Sequence, residues 1–130
     1  MTRREAITLS AAALAGCATP GSSSRGYIDA HSHIWTPDVQ HFPLALGKTV
    51  SDLKPLSFTP ETLIELGKTE EVTRHVLISH GPFYGFNNDY LIHAAKKHPG
   101  VFAIVGAMDP ALDRIPVRMI ANRKLGITGY

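Results

Sequence analysis

An α/β fold built of successive βα units is the class this sequence predicts. Short apolar runs at 27–31, 72–78 and 101–108 have the length and density of strands. Amphipathic stretches with helix-start and helix-stop residues lie between them, and Gly, Pro, Asn and Asp cluster at the joints. The composition is that of a globular chain: 130 residues, 44% hydrophobic and 18% charged, support one modest core. Lys plus Arg exceed Asp plus Glu by only 13 to 11, without a basic run or interleaved aromatics, so nucleic acid is not an expected partner.

The first 16 residues read as an export signal rather than as part of the fold. Arg3-Arg4 form a short positive region of twin-arginine type, residues 6–15 are apolar apart from Thr8 and Ser10, and Leu14-Ala15-Gly16-Cys17 resembles a lipobox. Cys17 is the only cysteine, which rules out an internal disulfide and makes lipidation its expected role. Cleavage after Ala15 by an ordinary signal peptidase is the other reading. Residues 17–26, with Gly21-Ser22-Ser23-Ser24, form a flexible tether. The expected location is therefore outside the cytoplasm, periplasmic or as a membrane-anchored lipoprotein, touching the membrane only through the lipid. No run of about 20 apolar residues occurs elsewhere, so the body is not expected to span a bilayer.

The first strand, 27–31, leads into Asp29-Ala30-His31-Ser32-His33-Ile34-Trp35. Histidines two apart on a strand share a face, so both imidazoles can reach one divalent ion. Two such histidines alone can also be polar residues on a solvated face; Asp29 before them, the strand-like entry and Trp35 after them favour ligation. Asp29 has the same spacing before His31, which places it on that face, to touch the ligands from behind or to make a contact at the bottom of the strand layer. An irregular stretch to about Phe58 follows, with Pro37, Pro43, Gly47 and Pro55; its length marks it as a lid or pocket wall.

Thr59-Pro60-Glu61 opens the first helix, with Thr59 as N-cap and Leu63, Ile64 and Leu66 as the buried stripe. The second strand, 72–78, is dense enough at 76–78 to be covered on both faces. Residues 79–86 form the loop at its end. Asn87 or Asn88 caps a second helix, on which Leu91, Ile92, Ala94 and Ala95 are apolar and Lys96-Lys97-His98 suit the negative end. Pro99-Gly100 stops it. A third strand at 101–108, a third helix at about 116–124 and the start of a fourth strand at 126–130 complete the chain.

His80 sits where the second strand opens, and reads equally as a substrate contact or a surface histidine. Tyr84 reads as an aromatic pocket wall or as packing over the rim, and Trp35 as a substrate platform or core. Of these, His80, Tyr84 and Trp35 are the substrate-side candidates. His41 reads as a solvated loop residue; His75, His93 and His98 read as surface or capping groups, and Asp109-Pro110 as a turn.

Taken in order, Ile28-Asp29-Ala30-His31-Ser32-His33-Ile34-Trp35, Phe58-Thr59-Pro60-Glu61-Thr62-Leu63, Phe83-Tyr84-Gly85-Phe86-Asn87-Asn88-Asp89-Tyr90-Leu91, His98-Pro99-Gly100-Val101-Phe102 and Met108-Asp109-Pro110 carry a resemblance. From 27 to 130 the chain resembles amidohydrolase-related proteins of the amidohydrolase 2 family. The resemblance implies a distorted (β/α)8 TIM-like barrel, of which this sequence is the N-terminal half, truncated near strand four; a whole barrel takes about 250 residues. It implies that His31 and His33 are metal ligands at the C-terminal mouth of strand one, for a divalent cation, zinc with manganese as the alternative. It also implies that further histidines and a late-strand Asp acting as base lie beyond this chain, so the catalytic residue here is unknown.

The implied activity is metal-dependent hydrolysis of a lactone, ester or amide in a small-molecule substrate, with decarboxylation in some relatives. The cation would act as a Lewis acid on the scissile carbonyl and bring the pKa of water to about 7. Two histidines fall short of the three protein ligands usual in a catalytic zinc site, so the fragment by itself is expected to bind metal poorly and to be inactive. The alternative is a non-catalytic truncated remnant or binding module. A two-histidine phosphoesterase barrel is a weaker third reading, because it leaves the block at 84–91 unexplained.

Overall fold

The computed structural model describes residues 26–130; the segment read as an export signal, most of the stretch read as a tether, and Cys17 lie outside the described residues. Four strands form one parallel sheet in the order β1-β2-β3-β4: β1 Tyr27–Ser32, β2 Val72–Ile78, β3 Phe102–Val105 and β4 Ile127–Gly129. Helices α1 Pro60–Thr69, α3 Asp89–Lys97 and α4 Ile115–Arg123 connect them, with a one-turn helix α2 Gly81–Tyr84 after β2. Each new strand is added on the same side of the last. With right-handed crossovers that order keeps every helix on one face, as in a barrel wall, rather than on both faces as in a doubly wound sheet. Among the described residues no helix is long and apolar enough to cross a membrane.

The helix-covered face is built in cross-strand rows. Ser32, Leu77, Ile104 and Ile127 are register partners from β1 to β4, and all four are buried. Ile34, Leu63, Tyr84, Tyr90, Leu91 and Ala94 close over this row to complete the core. Burying a Leu or Ile contributes roughly 1.5–3 kcal/mol each, so this row and its helical cover carry most of the apolar stabilisation. Val76 and Ile78 are half-buried, which corrects the expectation of a strand covered on both faces. One face of β2 meets helices, and the other faces inward along the wall.

Helix α1 starts as expected. Thr59 Oγ1 accepts the N–H of Thr62 and Pro60 takes the first turn. Its buried stripe is Pro60, Leu63 and Gly67 rather than Leu63, Ile64 and Leu66; Leu66 is 56% exposed. The reason is across the interface. The ring of His75 lies against Gly67, and a Cβ there would come within 2.9 Å of His75 Cε1, so the helix can approach β2 only along a glycine. His75 is 3% exposed, which corrects its expected surface position.

Helix α3 begins one residue after Asn88, whose side chain does not cap it. Asn87 Oδ1 accepts the Asp89 N–H instead, at 2.7 Å. Asn88 reaches across to Ala107, two residues past β3, accepting from Ala107 N at 2.9 Å and donating to Ala107 O at 2.8 Å. Those two bonds consume both backbone groups of Ala107, which is one reason β3 ends well short of the expected residue 108. At the other end of α3, Lys97 Nζ and His98 Nε2 each lie 2.8 Å from Glu61 Oε1 and tie α3 to the first turn of α1.

The Lys97 ammonium, and then the His98 ring, hold the Glu61 carboxyl down at about 2. A depressed folded-state pKa adds stability above the unfolded carboxyl range near 4.5, lost as pH falls from there towards 2. Glu61 is 48% exposed, so solvent screening limits the effect to about 0.3–1 kcal/mol. Urea denaturation of Glu61→Gln should show a loss of that size at pH 7 and none at pH 2; an equal loss at both pH values would contradict the assignment.

Candidate metal centre

β1 and β2 are not paired in simple step. Asp29 is opposite His75 and Ser32 opposite Leu77, so three steps on β1 match two on β2 and one extra residue bulges from the ladder. A strand period of two would keep Asp29, His31 and His33 on one face; the bulge breaks that run between Asp29 and Ser32. Asp29 accordingly turns to the helix-covered side. Its Oδ1 accepts the His31 N–H at 3.0 Å, its Oδ2 accepts the Ser32 hydroxyl, and the same oxygen lies 3.7 Å from His75 Nδ1. The Ser32 hydroxyl and then the His31 N–H hold the Asp29 carboxyl below its usual range against the opposing effect of burial.

His31 and His33 then converge. Their Nε2 atoms are 3.2 Å apart and the rings meet edge to face. His33 Nδ1 lies 2.9 Å from the carbonyl oxygen of Ile78, the last residue of β2. A carbonyl only accepts, so Nδ1 carries the proton and Nε2 presents its lone pair to the gap between the rings. That is the tautomer a metal-ligating histidine needs, with its outer nitrogen already oriented by a backbone oxygen. Two nitrogens on one tetrahedral ion at about 2.0–2.1 Å stand about 3.3 Å apart, and the observed spacing matches. Among the described residues no group of three or more His, Cys, Asp or Glu is arranged around one point. The pair fits as two ligands of an ion, not as a whole coordination sphere.

His80 follows β2 immediately. Its ring lies 4.9 Å from that of His33 and is stacked on Phe83 at 4.2 Å. Burial first, and the neighbouring His33 second, push the His80 imidazole below its ordinary pKa, which favours the neutral ring. Its Nδ1 is buried and has no hydrogen-bond partner among the described residues. Trp35 faces both rings, 5.7 Å from His80 and 5.6 Å from Phe83. The structure thus brings His31, His33, His80 and Trp35 to one end of the sheet, the end where the strands finish.

Trp35 is fixed from behind. It exchanges both backbone hydrogen bonds with Phe58, at 2.9 and 3.0 Å, and its Nε1 donates to Pro55 O at 2.8 Å. Residues 36–58 are therefore pinned at both ends and form a wall rather than a free lid. Phe42 packs on Tyr90, Leu53 is buried, and Ala45 N donates to Phe83 O at 2.7 Å. Tyr84 is 6% exposed and lies within the core, its hydroxyl accepting the Thr36 N–H at 3.1 Å. It reaches the site through that bond to the Trp35-Thr36 segment. Burial pushes the Tyr84 phenol up and that of Tyr90 up to about 12, so both stay neutral.

His41 pairs with Asp38 on the exposed loop, His93 is exposed, and Asp109 Oδ1 accepts the Ala111 N–H in a turn. None of the three is brought to the His31–His33 pair. Asp29 was legible as a neighbour of the pair but not as the residue that closes a bulge. The orphaned backbone N–H that the bulge creates leaves no mark in the pattern of residue types.

No family model matches the chain, and no curated protein matches it. Among solved structures it is similar to a protein of Acinetobacter baumannii described as a "probable 2-pyrone-4,6-dicarboxylic acid hydrolase", crystallised with citric acid bound. The TM-score is 0.61 at 20% identity, over 78% of this chain and 35% of that one. The likeness shows the fold: a parallel α/β arrangement matching part of a TIM-barrel-like hydrolase. The chain spans about a third of the neighbour's length.

Replacing Tyr84 by Phe removes the acceptor of the Thr36 N–H while keeping the ring. Thermal or urea unfolding should show a loss of about 1 kcal/mol, with faster amide exchange at Thr36; unchanged exchange there would contradict the bracing role.

Proposed function

We propose that residues 27–130 carry the first two ligands and one pocket wall of a metal-dependent hydrolase of the amidohydrolase-related type. The observation that carries this reading is the His31–His33 pair, with Nε2 atoms 3.2 Å apart at the C-terminal end of a parallel sheet. In barrel folds that end is where the βα loops converge and chemistry is placed. The likeness to a fold that serves a hydrolase in its neighbour supports the reading from the side of architecture.

In this proposal His31 and His33 hold a divalent cation, zinc in preference to manganese, because two imidazole nitrogens at tetrahedral spacing suit it. When bound, the cation supplies Lewis acidity that polarises a scissile carbonyl and acidifies water at neutral pH. The chain's own residues supply position. Ile78 O holds the proton on His33 Nδ1 and so keeps Nε2 free. Trp35, Phe83 and neutral His80 form a wall that excludes water on one side and offers one polar edge to a small substrate. The substrate class is a lactone, ester or amide, with decarboxylation of a carboxylated substrate as the related chemistry. The remaining ligands and the general base are assigned to residues other than those described.

We extend the proposal to location. Arg3-Arg4 and the segment ending at Cys17 direct export, and a lipid on Cys17 tethers the domain to a membrane surface. A second reading, a non-catalytic binding module, is favoured by one observation: among the described residues only two ligands meet.

Titrating the full chain with Co²⁺ and Zn²⁺ tests the metal assignment. One equivalent should bind, weakly for want of further protein ligands, with cobalt ligand-field bands, and His31→Ala and His33→Ala should each weaken binding at least ~10-fold, the scale of a ligand or its orienting partner. Equal binding by wild type and both variants would refute the metal assignment.

A further inference from the structure

We propose that Asp29 is the positioning residue of the His31–His33 pair, acting through the β1 bulge from the opposite face of the sheet. This inference rests on the functional reading above for its consequence, but its geometry stands independently. Between the pairs Asp29–His75 and Ser32–Leu77, two residues of β1, Ala30 and His31, span the interval that Val76 alone spans on β2. A bulge of this kind leaves a backbone N–H out of the ladder and re-aims the side chains beyond it. Asp29 takes that N–H from His31 at 3.0 Å and clamps the Ser32 hydroxyl with its other oxygen. One carboxylate thus fixes the backbone of the first ligand and the side chain of the residue between the two ligands.

The carboxylate is itself held in place. His75, across the strand pair, is buried with its Nδ1 3.7 Å from Asp29 Oδ2, and among the described residues that nitrogen has no hydrogen-bond partner. Gly67 on one side and the Phe102 ring at 5.8 Å on another leave the His75 ring little room to turn away. A chain of contacts therefore runs from α1 through His75 and Asp29 to the ligand backbone. Asp29 touches neither the imidazoles nor the gap between them. It sets where they point.

The test uses the full chain, free of metal, and reads the rings directly. In wild type, two-bond ¹H–¹⁵N spectra should show His33 protonated at Nδ1, with a ring-to-ring NOE between His31 and His33. In Asp29→Ala both signatures should be lost, and in Asp29→Asn, which keeps an acceptor for the His31 N–H, both should be retained. Co²⁺ affinity should fall about 10–100-fold in Asp29→Ala, as for loss of a residue that orients a ligand, and recover in Asp29→Asn. Ser32→Ala, which leaves the His31 N–H bond in place, keeps the outcome readable should Asp29→Ala fail to fold: it should keep the His33 tautomer and weaken the NOE. Tautomer and NOE unchanged in Asp29→Ala, or an undiminished NOE in Ser32→Ala when that variant is the one that folds, would overturn the proposal. Intact ring signatures in a wild type that binds no Co²⁺ would instead sink the metal assignment and leave the positioning role standing.

Discussion

Parallel pairing of β1 with β2, with one extra β1 residue between Asp29 and Ser32, is the constraint on which the rest of the structure depends. In step, a strand of period two would stack Asp29, His31 and His33 on one face, placing a carboxylate beside two imidazoles. The extra residue divides them. The carboxylate goes to the helix side, where its bonds to His31 N–H and Ser32 hydroxyl satisfy the irregular backbone, and the imidazoles go to the open end. The second strand completes the arrangement from both sides. His75 backs Asp29, and the Ile78 carbonyl orients His33.

Around that pair the fold supplies rigidity by layers. The row Ser32, Leu77, Ile104 and Ile127 fixes the height of each strand, so the strand ends are presented together. Asn88 bonds both backbone groups of Ala107 and ends β3, so its last residues belong to the rim. The loop at 36–58 is held at Trp35 and Phe58 and packed through Phe42 and Leu53, which makes it a fixed wall beside His80 and Phe83. Rigid elements that carry site residues keep geometry within the tolerance a metal or substrate demands.

Much of this was legible in the residues. The bounds of β2 are those the apolar run at 72–78 indicates, and the start of α1 follows from Thr59-Pro60 because cap and φ restriction are local effects. That His31 and His33 lie close together was legible from their spacing, though the bulge that aims them was not. Features that depend on a partner element were not legible. The stripe of α1 shifts from Leu66 to Gly67 because a histidine on another strand occupies the space. His75 is buried because α1 and Phe102 cover it, and the length of β3 is set by an asparagine 19 residues away. Tyr84, an aromatic in a loop by composition, is a core residue because one turn of helix folds it inward.

The proposed site depends on two imidazole nitrogens sharing one cation. X-ray absorption at the zinc edge, on the full chain loaded with one equivalent of Zn²⁺, measures that directly. Two histidine rings per zinc, seen as nitrogen scatterers at about 2.0–2.1 Å with the outer-shell pattern of imidazole, are predicted. A zinc surrounded by oxygen alone, or by a single ring, would contradict it.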